Sequence, residues 1–205
     1  GLRVVVQPDH RAPVVALGLM VDVGSRNESA GLTGLAHFFE HMMFQGSARV
    51  AKMEHVRALE AVGAEVNANT STDRTYYYQV VPKSALSLAL WLEAERWRDL
   101  ALTADNVDNQ RQAVLEERRQ SFENRPFVEA ELELARLVYD IPALQHATIG
   151  EADDITRAPL AAFEHFWRTW YTPSNAVVTL VGDLDPAEAR QLLDASLGKL
   201  APRAL

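Results

Sequence analysis

The residues best placed to act together are His37, Glu40 and His41, in the run His37-Phe38-Phe39-Glu40-His41. On an α-helix each residue advances about 100°, so the three fall within an arc of roughly 100° on one face. Two imidazoles four residues apart can grip one divalent cation, at about 2.0–2.1 Å per nitrogen. Glu40 stands beside them, able to reach a water on that cation without being a ligand. The order is that of the HExxH helix with the sequence direction reversed, and its chemistry is metal-assisted hydrolysis with Glu40 as general base. With 6 His and 28 acidic residues in 205, such a pentad arises by chance in about one such chain in a hundred. Catalytic zinc ordinarily takes three protein ligands and a water. The chain has no cysteine, so disulfides and thiolate sites are excluded and the third ligand must be a carboxylate or another imidazole. His10, His55, His146 and His165 have no partner at ligand spacing and read as surface or hydrogen-bonded residues.

The elements that must position these residues follow from the pattern. Apolar runs at residues 2–7 and 13–23, separated by Pro8-Asp9-His10-Arg11, predict two adjacent strands. A glycine-bearing loop leads to a helix from Thr33 as N-cap to Phe44, stopped by Gly46. A second helix is expected over 50–62, with Met53, Val56, Leu59 and Val62 at three-residue steps before Gly63. Val66, Ala68 and Thr70, then Tyr76, Tyr78 and Val80, alternate around Ser71-Thr72-Asp73 and predict a hairpin over 64–82. Tyr76, Tyr77 and Tyr78 read mostly as packing. Helices are predicted at 84–100, 103–122 with a break at Asn124-Arg125-Pro126, 127–139, 158–171 and 186–197, and a strand at 175–182. Strands mixed with helices without a strict βαβ beat favour α+β, a largely antiparallel sheet packed with helices. No low-complexity segment, repeat or linker is visible. The final residues, Ala201-Pro202-Arg203-Ala204-Leu205, look like a domain edge.

The chain resembles the pitrilysin/insulinase family of inverted zincins, which includes the mitochondrial processing peptidase. The likeness rests on Gly34 to Phe44 with Gly46-Ser47, on Gly63 with Asn67-Ala68, Thr70, Thr75 and Tyr77, and on Ile149-Gly150, Phe166-Trp167, Tyr171-Thr172-Pro173-Ser174-Asn175-Ala176 and Val181-Gly182-Asp183. It covers essentially all 205 residues. It implies the fold of that family's zinc-binding N-terminal half as one domain over 1–205, and a zinc endopeptidase with one Zn²⁺. Family members carry the third ligand about 75 residues beyond the second histidine, in V-x-x-E. Val114 and Glu117 match that pattern, which selects Glu117 over Glu116 as the third ligand and leaves Glu116 a solvated charge. Many relatives hold a glutamate seven residues earlier, where this chain has Gln110. Gln110 can hydrogen-bond to the site but brings no charge, so the pH dependence could differ. The resemblance also makes Asn67 and Ala68 a strand edge that pairs with an extended peptide substrate. A second half of similar fold, in the same polypeptide or as a partner subunit in a homo- or heterodimer, is expected to close over the substrate. A non-catalytic scaffold of the same fold and a subunit of a heteromeric processing peptidase are the alternatives. Loss of catalysis predicts eroded ligands, and here all four residues are present.

Composition agrees with a soluble protein that buries its core in one large domain, or at most two small ones: 48% hydrophobic and 23% charged residues. A net charge of −8 with scattered basic residues argues against nucleic acid, and no apolar run is long enough to span a bilayer. No membrane partner is expected. The compartment is open between the periplasm, in which exported bacterial relatives are common, and the cytoplasm.

Overall fold

The valine-rich opening of the chain forms two strands, β1 (Arg3–Pro8) and β2 (Val14–Val21). Next come α1 (Leu35–Met42), α2 (Glu54–Glu60), β3 (Glu65–Thr70), β4 (Thr75–Pro82), α3 (Leu86–Arg98) and α4 (Ala104–Glu117). After them run α5 (Val128–Val138), α6 (Ala152–Arg157), α7 (Leu160–Trp170), β5 (Ala176–Gly182) and α8 (Pro186–Ala195). This computed structural model describes residues 1–201, so the suggested domain edge at 201–205 lies, apart from Ala201, outside the described residues.

The strands form a five-stranded sheet in the order β1-β5-β2-β4-β3. Three pairings are antiparallel and one, β1 with β5, is parallel, so the fold is α+β with a largely antiparallel sheet. Contrary to the sequence expectation, β1 and β2 are not neighbours, because β5 lies between them. Apolar alternation specifies a strand but not its partner. The link over 9–13 exceeds a two-residue hairpin turn, and it crosses the end of β5 instead. There Asp9 N donates to Gly182 O at 2.7 Å and Asp183 N to Val14 O at 3.0 Å. Gly182 is required at this crossing: its φ is +143°, and a Cβ would lie 2.2 Å from Val14 O.

Alternate residues of β2, β4 and β5 (Val15, Leu17 and Leu19; Tyr77 and Val81; Val178 and Leu180) are buried in one core with Phe38, Phe39 and Met42 of α1, Leu86 and Leu90 of α3 and Phe163 of α7. α1 is thereby fixed by its apolar face, leaving His37, Glu40 and His41 on the other. Its start differs from expectation. Gly34 (φ +87°), not Thr33, is the N-cap, and the amides at the helix start are satisfied from the preceding loop: Gly34 N and Ala36 N donate to the Glu28 carboxylate at 2.8 and 2.7 Å. Thr33 is drawn away by Asp154, to which its hydroxyl donates at 2.7 Å. The helix expected over 50–62 is shortened to α2, because Ser47 and Val50 close a turn first (Ser47 N to Val50 O 2.8 Å, Val50 N to Ser47 Oγ 3.2 Å). α6 was not anticipated, since six residues are too few for a helical period to show. Among the described residues no helix is long and apolar enough to cross a membrane.

Candidate metal centre

α1 and α4 cross so that three side chains converge. Glu117 Oε1 lies 3.5 Å from His37 Nε2 and Oε2 lies 3.2 Å from His41 Nε2, and one candidate ligand atom from each residue falls within 4.8 Å of the others. It is the one such cluster of three among the described residues. Donors about 2.0–2.2 Å from a tetrahedral ion stand ~3.3–3.6 Å apart, so this donor set fits a divalent cation. Both imidazoles and the carboxylate are partly buried. Hydrogen bonds from His37 and then His41 hold the Glu117 carboxyl well below the usual carboxylate range. Burial pulls the His41 imidazole down, but Glu117 outweighs it and leaves the net shift upward.

Each member of the cluster has a support. Val114 of α4 is fully buried, and Gln110, Val114 and Glu117 recur at helical spacing toward α1. Gln110 is buried at 8% exposure beside His41, whose pKa it helps to raise, and donates from Nε2 to Asn109 Oδ1 at 3.2 Å. Glu116 points elsewhere and pairs with Arg119 at 2.7 Å. Glu40 accepts a 2.6 Å hydrogen bond from the Thr70 hydroxyl of β3. Beneath α1, Phe39 stacks with Phe166 and Trp167 at 5.3 and 5.9 Å between ring centroids. The buried hydroxyls of Tyr77 and Tyr171 hydrogen-bond to each other at 2.8 Å. Among the described residues His37 Nδ1, buried, has no hydrogen-bond partner.

A cleft of about 330 Å³ opens on the cluster, lined by Glu40, His41, Phe44, Asn67, Ala68 and Gln110 among others. β3 is the edge strand of the sheet, and Ala68 N donates to the Asn67 carboxamide oxygen at 2.8 Å. A larger hollow of about 980 Å³, between Arg118, Phe122 and α5, contains no cluster of metal-ligating side chains among the described residues. The remaining histidines stand apart. His10 pairs with Asp183 at 2.7 Å, and His146 Nδ1 lies 3.1 Å from Ala147 O. His55 is 3% exposed, and burial lowers its pKa well below the ordinary value, so it is a neutral core residue. The contact of Thr70 with Glu40 is not foreseen by the sequence reading, although Thr70 shares the face of Val66 and Ala68 in the alternating pattern.

The sequence profile of the insulinase peptidases (family M16) matches residues 3–150, and that of the M16 inactive domain matches 157–204. An uncharacterized zinc protease of Mycobacterium tuberculosis is 35% identical over 185 residues, 90% of this chain and 42% of that protein. The zinc protease PqqE of Helicobacter pylori is 32% identical over 193 residues, 94% of this chain and 44% of its own. The chain thus spans less than half the length of these relatives. The crystal structure of a Helicobacter pylori protease superposes with a TM-score of 0.94 at 31% identity, covering 100% of this chain and 49% of that one. The first half of the periplasmic protease PqqL from Escherichia coli gives 0.89 at 29% identity, covering 100% of this chain and 46% of that structure.

Proposed function

The chain belongs to the insulinase family of peptidases (M16), and on that premise we propose that it is the metal-binding part of a zinc-dependent endopeptidase. The observation that carries this reading is the convergence of His37, His41 and Glu117, with Glu40 held on the same helix face by Thr70. The three residues would hold one Zn²⁺, which supplies Lewis acidity and brings the pKa of water toward ~7. Glu40 takes the proton of the attacking water and returns it to the leaving amine. Thr70 limits the rotation of Glu40 by donating to one carboxylate oxygen, so the other oxygen is presented to the cleft. The substrate is an extended peptide laid along the free edge of β3, where Asn67 and Ala68 meet its backbone. Gln110 orients His41 by a neutral hydrogen bond.

Since the relatives exceed twice this chain's length, the chamber is completed by a further half or by a partner subunit, which supplies the remaining substrate contacts. Likeness to a periplasmic protease of Escherichia coli favours the periplasm. The test is hydrolysis of an unfolded-protein substrate by the full-length protein, before and after chelation and zinc return, with Glu40→Gln alongside. Activity that follows zinc and disappears in a zinc-replete Glu40→Gln protein is expected. Undiminished cleavage by that variant would refute the assignment of Glu40.

A further inference from the structure

A series of close contacts joins the helix bearing Glu117 to the start of the helix bearing the histidines. Arg118, 8% exposed, directly follows Glu117 and donates from Nε to Gly150 O at 2.8 Å. Its terminal nitrogens reach Glu151 Oε2, at 3.2 Å, and Glu123 Oε1. Gly150 in turn lies backbone against backbone on Gly34: a Cβ at Gly150 would fall 2.3 Å from Gly34 Cα. Gly34 is the N-cap of α1, three residues before His37. The same crossing is locked by Thr33, whose hydroxyl accepts from Glu151 N at 2.9 Å and donates to Asp154. Two turns earlier on α4, Arg111 donates to Ile155 O and, at 2.9 Å, to Ala158 O. The segment 150–158 is therefore fastened to α4 by two arginines and seated on the first turn of α1.

We propose that Arg118 is a positioning residue for the metal centre: through Gly150 and Gly34 it sets the spacing between the Glu117 carboxylate and the two imidazoles. This rests on the reading of His37, His41 and Glu117 as ligands. The need for such a clasp comes from the helix itself. Immediately after Glu117 the winding changes from α to π over Arg118–Glu123, so no following α-helical turn fixes the ligand's register. A buried guanidinium with three partners supplies that constraint, and its planar fork reaches a carbonyl and two carboxylates at once. Lysine, a single point of charge, cannot reproduce it.

The experiment measures zinc affinity of the full-length protein by chelator competition and the visible absorption of its Co²⁺ form, which reports coordination geometry. Thermal unfolding of the metal-free protein is the control. Glu117→Gln, Arg118→Met, Arg118→Lys and the Glu117→Gln/Arg118→Met pair are compared with the parent. Arg118→Met is expected to lose about 10- to 100-fold in zinc affinity and to shift the Co²⁺ spectrum. Arg118→Lys should lose less, and Glu117→Gln should cost little more once Arg118 is gone. If Arg118→Met does not fold, Arg118→Lys, which keeps the charge beside Glu123 and Glu151, decides the matter. Parental affinity and spectrum in the folded Arg118 variants, with binding weakened in Glu117→Gln, overturn the clasp alone. Parental binding in Glu117→Gln overturns the ligand assignment and the clasp with it.

Discussion

Glu28 governs the start of the helix that bears both histidines, and its charge state makes a measurable claim. Its side chain is 0% exposed. Burial pushes its carboxyl up to about 8, opposed by the backbone amides of Ala36 and Gly34 and assisted by Asp154. A carboxyl whose pKa is higher folded than unfolded binds more protons in the native state. Its stability contribution is therefore greatest below the ordinary glutamate value of 4.5 and declines as pH rises through about 8. The decline is at most about 1.4 kcal/mol per pH unit, an upper limit of ~5 kcal/mol over the window. Glu28→Gln removes the titration but keeps only one of the two acceptor oxygens, so at pH 5 it should cost ~1–3 kcal/mol. Urea unfolding of both metal-free proteins at pH 5, 6.5 and 8 should show this deficit shrinking as pH rises, because only the parent ionises Glu28. Asp154, Glu151 and His146 are common to both proteins and largely cancel in the difference. A deficit that stays constant or widens toward pH 8 would refute the argument, showing that the helix-start amides hold the carboxyl ionised throughout.

Phe39 is 0% exposed among stacked aromatic rings, so Phe39→Ala should cost ~3–5 kcal/mol in chemical denaturation and lower zinc retention on dialysis. Asn67→Ala removes one backbone-directed hydrogen bond of ~1 kcal/mol. It should lower kcat/KM for peptides about fivefold, with zinc affinity unchanged in chelator competition. Thr70→Val, which removes the donor to Glu40, should reduce kcat about tenfold at unaltered zinc content, in line with a lost hydrogen bond to a charged group.

The histidine pair and Glu40 were legible because a helix turns spacing into direction: residues 37, 40 and 41 must share a face wherever the helix lies. Glu117 was reached only through resemblance, since nothing in local spacing says that a helix 76 residues downstream crosses α1. The hairpin and its turn were readable from alternation alone. Strand pairing was not, because β1 and β2 carry the same apolar signal whether they adjoin each other or flank β5. The capping of α1 was misread for a related reason. A threonine before a helix is a good local acceptor, but here Glu28, from the preceding loop, takes the amides and Asp154, remote in sequence, takes the threonine hydroxyl. Nothing in the sequence distinguishes Arg118 from the other basic residues, and only the path of residues 150–158 shows it to be buried.

The placement of β5 bears on how the chain acquires its shape during synthesis. β1 and β2 emerge from the ribosome well before β5, yet neither can complete its ladder until residue 182 has emerged. For most of that interval two valine-rich edges are open to other chains, a hazard for any nascent polypeptide. The junction near residue 150 between the two family profiles cuts across this shared sheet. A product truncated there should accumulate as aggregate, and supplying residues 157–205 as a separate peptide should restore solubility by filling the empty slot.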